Sequence, residues 1–174
     1  MRITAIDPGA SGAIAHLDLV TNTLKVFDTP TFIVKRNGKN KTEIDAVNFG
    51  AILRNFPSDH VIIEQVSAMP GQGVTSMFNF GKSYGIAIGC VSALEQPVSY
   101  VHPLTWKKAM LLSGDKDGSR RKATELLPGC AGLWMRVKDD GRAEAALLAI
   151  WYLRSIGVHS IGKIMPLTMI DTKG

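Results

Sequence analysis

Arg2-Ile3-Thr4-Ala5-Ile6-Asp7-Pro8-Gly9-Ala10-Ser11-Gly12-Ala13-Ile14-Ala15-His16-Leu17-Asp18-Leu19 opens the chain with two runs of strand-forming residues around a proline–glycine turn. Arg2–Asp7 and Ala13–Leu19 read as strands on either side of Pro8–Gly12, and Thr23–Asp28 reads as a third after the turn at Thr21-Asn22. Three short strands in succession form a meander. The next strand signal is different in kind. His60–Val66 carries the unbroken apolar run Val61-Ile62-Ile63, which suits a strand covered on both faces and predicts a central place in the sheet.

The remaining segments fill in around these strands. Thr31–Lys41 is polar and basic, with Asn37-Gly38 as a turn signal, and Thr42-Glu43-Ile44-Asp45 caps a predicted helix that runs to about Asn55. Met69–Thr75 is a glycine-containing loop, and Ser76–Leu94 reads as a helix whose glycines at 81, 85 and 89 allow close packing against a neighbour. Pro97–His102 reads as a fifth strand. Two basic helices (about Leu104–Leu112 and Ser119–Leu127), a loop at Pro128, Gly129 and Gly132, and a last helix from about Gly141 to Ser155 complete the pattern. Residues 1–156 are expected to form one domain, and 157–174 an irregular tail.

The order β-β-β-α-β-α-β predicts an α/β fold of the ribonuclease H-like type: a mixed five-stranded sheet, order 3-2-1-4-5, flanked by helices. The first and fourth strands would then be parallel neighbours.

Composition limits the function classes. The 174 residues, 45% hydrophobic and 20% charged, suit a single domain that buries roughly 70% of its unfolded surface. The longest mostly apolar stretches, Gly85–Leu94 and Ala143–Leu153, fall short of the roughly 20 residues needed to span a bilayer, so no membrane association is expected. The start meets Asp7 before any hydrophobic region develops, so no signal or transit peptide is read there and a cytoplasmic location, in a bacterial or phage-infected cell, is expected. Cys90, Cys130 and four scattered histidines lack the spacing of a zinc site. Neither a P-loop nor GxGxxG is present, so no nucleotide cofactor is expected. The 20 Lys plus Arg against 15 acids give a net charge of +5, which points to a polyanionic partner. The cations cluster at Lys35, Arg36, Lys39 and Lys41 and again over Trp106–Lys122.

The acids have their own pattern. Asp7 closes the first strand and Glu64 ends the fourth, and strands about 4.8 Å apart would bring both to the carboxyl edge of the sheet. Asp140 and Glu144 lie one helical turn apart and share a face, although Asp139 is an alternative to Asp140. Glu144 stands alone in Ala143-Glu144-Ala145-Ala146-Leu147-Leu148, where a carboxylate is costly to bury without a purpose. Four converging carboxylates require a cation, and all-oxygen ligation suits Mg²⁺, with Mn²⁺ able to substitute. Two ions per site, about 4 Å apart, would polarise a water and hold a scissile phosphate.

In Ile6-Asp7-Pro8-Gly9-Ala10-Ser11-Gly12-Ala13, Ile62-Ile63-Glu64-Gln65, Gly71-Gln72-Gly73 through Phe80-Gly81-Lys82-Ser83-Tyr84-Gly85, Thr105-Trp106-Lys107-Lys108 and Asp140-Gly141-Arg142-Ala143-Glu144-Ala145, the chain resembles the RuvC-type Holliday-junction resolvases, in particular their phage and plastid branch. The resemblance spans residues 1 to about 154. It implies that Asp7, Glu64, Asp140 and Glu144 are the metal-binding catalytic residues of a structure-selective endodeoxyribonuclease, a homodimer that nicks opposed strands of a four-way DNA junction in recombination or repair. The bacterial family usually ends this set with two aspartates three apart, whereas here the spacing is four and the last acid is Glu144.

The DNA surface is read around that centre. In the loop after the fourth strand, Met69, Gly71, Gln72, Gly73, Ser76 and Phe78 offer close backbone approach, base-edge contacts and apolar wedges. Bacterial members place a Phe shortly after the catalytic Glu, where this chain has Ser67, so that stacking role is not carried over. Lys107, Lys108, Lys116, Arg120 and Arg121, with Lys82 on the preceding helix, are the expected phosphate contacts. Two other functions fit the same fold: a noncatalytic junction-binding protein, which would have little reason to keep the four acids, and a nuclease acting on flaps or RNA–DNA hybrids.

Overall fold

Alternation of apolar residues on both sides of the first strand dictates a sheet buried on two faces. In the computed structural model, which describes all residues except 37, 66, 68–70, 72, 113–116, 160 and 167–174, this sheet forms as expected. Its strands are β1 (Arg2–Asp7), β2 (Ala13–Asp18), β3 (Thr23–Asp28), β6 (His60–Glu64) and β7 (Val98–Val101), and a short hairpin of β4 (Thr31–Arg36) and β5 (Lys39–Ile44) stands apart from it. The helices are α1 (Ala46–Asn55), α2 (Val74–Ala93), α3 (Pro103–Ala109), α4 (Gly118–Leu126) and α5 (Asp140–Ser155), with 3-10 turns at Pro128–Trp134 and Val137–Asp139. The sheet order is β7-β6-β1-β2-β3-β8, where β8 is the short strand Met165–Pro166. Its first five members are the predicted 3-2-1-4-5 arrangement.

Two cores follow from the pleat. Ile3, Ala5, Ala13, Ala15, Leu17 and Ile62 pack with Trp106, Ala123, Trp134 and the whole inner length of α5 on one face. Ile6, Ile14, Val61 and Ile63 pack with Phe49 and Leu53 of α1 and Ala87 and Val91 of α2 on the other. α5 is buried almost all round through Ala143, Ala145, Ala146, Leu147, Leu148, Ala149, Ile150 and Leu153, and its alanines let it lie close to the sheet.

Two expectations are corrected. The polar, basic stretch after Thr31 is a regular hairpin, in register from Thr31↔Ile44 to Arg36↔Lys39, and α1 begins only at Ala46, capped by the Asp45 carboxylate on the Asn48 N–H at 3.0 Å. Charged residues with no alternating apolar partner hid a ribbon that needs no buried face along most of its length. The segment after residue 156 is not irregular throughout: Met165 and Pro166 pair parallel to Thr23 and Leu24, Ile164 is buried, and its carbonyl accepts from the Cys130 thiol at 3.7 Å.

Glycine permits two close approaches that position the first and last site elements. A Cβ on Gly12 would collide with the Asp7 carbonyl, and one on Gly141 would sit 2.6 Å from the Ser11 carbonyl oxygen and 3.1 Å from Asp7 Oδ2. A Gly→Ala change inside an exposed helix ordinarily gains about 1 kcal/mol. Gly141→Ala is instead expected to cost roughly 1–3 kcal/mol, because the first turn of α5 is pushed off the Pro8–Gly12 turn. Urea unfolding measures it, and a variant as stable as the parent would refute the close packing.

Candidate active site

The site is assembled by strand register. Ile6 of β1 pairs in parallel with Ile63 of β6, so the next residues, Asp7 and Glu64, leave the sheet side by side at its carboxyl edge. Glu144 reaches them from the second turn of α5, which lies across the same strands. Asp7, Glu64 and Glu144 each present an oxygen, and these three atoms all lie within 4.8 Å of one another. No other group of described residues draws together this closely in a way that suits a metal ion. A set of carboxylate oxygens with no thiolate or imidazole fits a hard divalent cation.

Donors from two further helices hold the carboxylates in place. Trp106, 1% exposed, donates its indole N–H to Glu64 Oε1 at 2.9 Å. Lys107 Nζ donates to Glu144 Oε2 at 2.8 Å and stands 3.9 Å from Glu64 Oε1, while Ser119 Oγ donates to Glu144 Oε1 at 3.0 Å. Burial, then the charges of Glu64 and Glu144, hold the Asp7 carboxyl well above the ordinary aspartate range, and Lys107 works against them. Burial also raises Glu64, opposed by Lys107 and the Trp106 hydrogen bond. For Lys107, burial disfavours the charge, but the bond to Glu144 and the charges of Glu144, Glu64 and Asp7 outweigh it, so its pKa rises.

The two aspartates before Glu144 have different surroundings. Asp139 is 4% exposed and accepts from the Arg136 backbone N–H at 2.9 Å and from Arg136 Nε and Nη2 at 3.1 and 2.7 Å. These hydrogen bonds hold its carboxyl below the ordinary range. Asp140, at the start of α5, is more open and accepts from Arg120 Nε at 2.9 Å. Arg142 grips Asp28 with two bonds of 2.6 Å, tying the end of β3 to α5.

The expected DNA-binding residues are dispersed around this centre. Lys107 points into the carboxylates, and Arg120 joins Asp140, Asp117 and the Met135 carbonyl. Lys108 and Arg121 are exposed on α3 and α4. Gly71 has φ 81°, Gly73 caps α2, and Ser76 and Phe78 are exposed on its first turns, Phe78 by 72%. Lys82 pairs with Glu43 of β5. Met69, Gln72 and Lys116 lie outside the described residues. Trp106 and Ser119 were not among the residues expected from the sequence. The signal for Trp106 was available: a buried indole N–H needs an acceptor, and it directly precedes a lysine assigned to the site.

The same architecture occurs in solved structures. The chain resembles Thermus thermophilus RuvC in complex with Holliday junction substrate (12% identity, TM-score 0.59, covering 91% of this chain and 97% of that chain) and the yeast mitochondrial Holliday junction resolvase Ydc2 (13%, 0.57, 88% and 79%). A second Thermus thermophilus RuvC structure matches at 15% identity and TM-score 0.52, over 91% and 98%. Likeness at these identities is a likeness of fold, and the fold is the RuvC, ribonuclease H-like one. No protein-family model and no curated protein matches the sequence. Among the described residues, no helix is long and apolar enough to cross a membrane.

The raised Asp7 pKa makes a stability prediction with a definite sign. A carboxyl whose pKa is higher in the folded than in the unfolded protein stabilises the fold at acid pH, and the contribution is lost as pH rises through the folded value. At pH 8 in EDTA, Asp7→Asn should therefore melt several degrees above the parent, with the advantage vanishing below the ordinary aspartate range. Millimolar Mg²⁺ should raise the melting temperature of the parent and not of the variant. Equal stabilisation of both by Mg²⁺ would remove Asp7 from the metal set.

Proposed function

We infer that this chain is a metal-dependent endodeoxyribonuclease that resolves four-way DNA junctions. The observation that carries the reading is the convergence of Asp7, Glu64 and Glu144 at the carboxyl edge of a parallel strand pair, in a fold shared with proteins described as Holliday-junction resolvases. Three close carboxylates held by Trp106, Lys107 and Ser119 have no structural purpose that an apolar set would not serve better. The sequence motifs around Asp7, Glu64 and Asp140–Ala145 favour the phage and plastid branch of the family.

Asp7, Glu64 and Glu144 would hold the cation, with Asp140, half-open and bound by Arg120 through Oδ1, as the fourth ligand in preference to Asp139, which is buried with both oxygens on Arg136. Two Mg²⁺ ions, or Mn²⁺, would supply water activation and neutralisation of the phosphate and leaving oxygen. The protein's part is positional. Trp106 and Lys107 fix the approach of Glu64 and Glu144, and Lys107 offsets part of the negative charge that the substrate phosphate would meet. Lys108 and Arg121, exposed on the neighbouring helices, serve as phosphate contacts, and the start of α2 with Ser76 and Phe78 faces the junction. Residues 1–156 form the nuclease domain, closed by the docked segment through Pro166.

Resolution requires two nicks related by the symmetry of the junction, and each chain supplies one site, so the active species is a two-fold homodimer. Gly81, Gly85 and Gly89 form an exposed stripe on α2, and among the described residues no other element packs within 4 Å of a prospective Cβ there, a surface suited to close helix packing across the two-fold axis.

Glu64→Gln keeps an oxygen for the Trp106 N–H while removing the charge. With Mg²⁺ it should lose nicking of a labelled four-way junction by several orders of magnitude and bind the junction at least as tightly as the parent, with duplex and flap substrates as controls. Normal cleavage by this variant would overturn the site assignment. Light scattering at micromolar concentration should give the mass of a dimer, and Gly85→Leu should shift it toward the monomer. A parent that stays monomeric even on the junction would overturn the two-fold model.

A further inference from the structure

A threonine just past the end of a strand ordinarily gives its hydroxyl to water or to nearby backbone. Thr29, directly after β3, does neither: the residue is 4% exposed, and its buried Oγ1 has no hydrogen-bond partner among the described residues. Its backbone N–H donates to the Gly12 carbonyl at 3.0 Å, which fixes it against the turn that follows Asp7. An orphaned buried hydroxyl destabilises the free protein where a valine of the same shape would not, so the fold alone gives no reason for it.

Thr29 lines a cleft of about 280 Å³ together with Ser11, Gly12, Asp28, Lys138 and Asp139. The two carboxylates of this cleft are already neutralised. Asp28 is gripped by Arg142 through two bonds of 2.6 Å, and Asp139 by Arg136 Nη2 at 2.7 Å, with Arg142 Nε a further 3.9 Å away. Lys138 is exposed, and no described acid pairs with it. Arg136, Arg142 and Lys138 against Asp28 and Asp139 leave the cleft with an excess of positive charge. A hard cation seeks bare carboxylates, which are lacking here, whereas an ammonium beside two hydroxyls suits an anion with several acceptor oxygens.

The cleft shares a wall with the carboxylate cluster. A Cβ on Gly141 would touch both at once, 2.6 Å from the Ser11 carbonyl oxygen and 3.1 Å from Asp7 Oδ2. Asp7 pairs with Ala13 and Ala13 with Asp28, so Thr29 leaves the sheet at the same edge as Asp7, two strands or about 10 Å away. Successive phosphates of one DNA strand advance about 3.4 Å along the helix axis. A phosphate seated in the cleft therefore lies within a few nucleotides of one at the carboxylates.

We propose that this cleft is a phosphate subsite for the cut strand: Lys138, with the Ser11 and Thr29 hydroxyls, holds a phosphodiester that flanks the scissile one and so fixes where along the strand the cut falls. This rests on the reading of the protein as a junction nuclease, and it makes Ser11, Thr29 and Lys138 binding residues separate from the metal ligands and from the α3–α4 cations. The ammonium supplies the attraction, and the hydroxyls supply donors that phosphate oxygens accept. An acceptor brought to Thr29 Oγ1 also relieves the orphan, so a hydroxyl that weakens the free protein acts only in the complex.

The test uses four-way junctions in which a neutral methylphosphonate replaces, one at a time, each phosphate near the cut, with the parent, Lys138→Ala and Thr29→Val as full chains. On the unmodified junction in Ca²⁺, Lys138→Ala should lose roughly 10- to 100-fold in affinity and Thr29→Val roughly 10-fold, while Thr29→Ser keeps the parent's value. Lys138→Ala should also lower the slope of log affinity against log salt by about 0.7 to 0.9, and Thr29→Val should leave it unchanged. One methylphosphonate position should weaken the parent by as much as Lys138→Ala does and weaken that variant no further. Thr29→Val should melt at or above the parent, which a residue serving only the fold would not do. Variants that bind the unmodified junction like the parent, or that respond to every methylphosphonate as the parent does, overturn the subsite and leave the nuclease reading intact. A rise in melting temperature with Mg²⁺ that Asp28→Asn abolishes would overturn it in favour of a cation site. A parent that neither binds nor cuts the junction would instead bring down the nuclease reading.

Discussion

The parallel pairing of β1 with β6 is the constraint on which the rest depends. Once Ile6 is in register with Ile63, the backbone places Asp7 and Glu64 on adjacent strands about 4.8 Å apart, and no side-chain rearrangement can separate them far. Burial raises the proton affinity of both carboxylates, and the charge of Glu64 raises that of Asp7 further, an electrostatic cost that hydrogen bonds only partly offset. The apolar runs behind them, Ile3–Ile6 and Val61–Ile63, supply the burial that holds this unfavourable pair in place.

α5 extends the same logic. A helix buried on almost all sides must cross the sheet closely, and its alanines and Gly141 allow it to, bringing Glu144 to the pair from above. The start of that helix is fixed by charge: Asp139 under Arg136, and Asp28 under Arg142 from β3. Carboxylates in the helix's first turn also meet its positive end, where negative charge is favoured. Asp139 thus has a sufficient structural account, while Glu144 has none apart from the cluster.

The strands, their order and the acids at their ends were legible because each rests on a local pattern: apolar alternation, an unbroken buried run, a carboxylate at a strand end. The hairpin was not, because a ribbon exposed along its length leaves no hydrophobic period, and its basic composition reads equally as a loop. The docking of Ile164–Pro166 depends on a groove formed by β3 and the Pro128–Trp134 turn, far away in sequence. Ser119 escaped for a related reason. Its hydrogen bond joins α4 to the Glu144 carboxylate on α5, and no spacing within one segment encodes that meeting. Asp139 and Asp140 are adjacent acids in sequence, and only the placement of Arg136 and Arg120 tells them apart.

Counting basic residues therefore misjudges a surface of this kind. Of the cations between Trp106 and Lys122, Lys107 and Arg120 turn inward to carboxylates, whereas Lys108 and Arg121 remain on the outside. The inward cations lower the negative potential of the cluster where it would repel an approaching phosphate. The outward ones, together with those of the hairpin, set the long-range field that draws a polyanion in. Ion pairs turned inward are partly shielded from salt and exposed charges are not, so added salt weakens the field of the outer surface well before it disturbs the arrangement of the acidic centre.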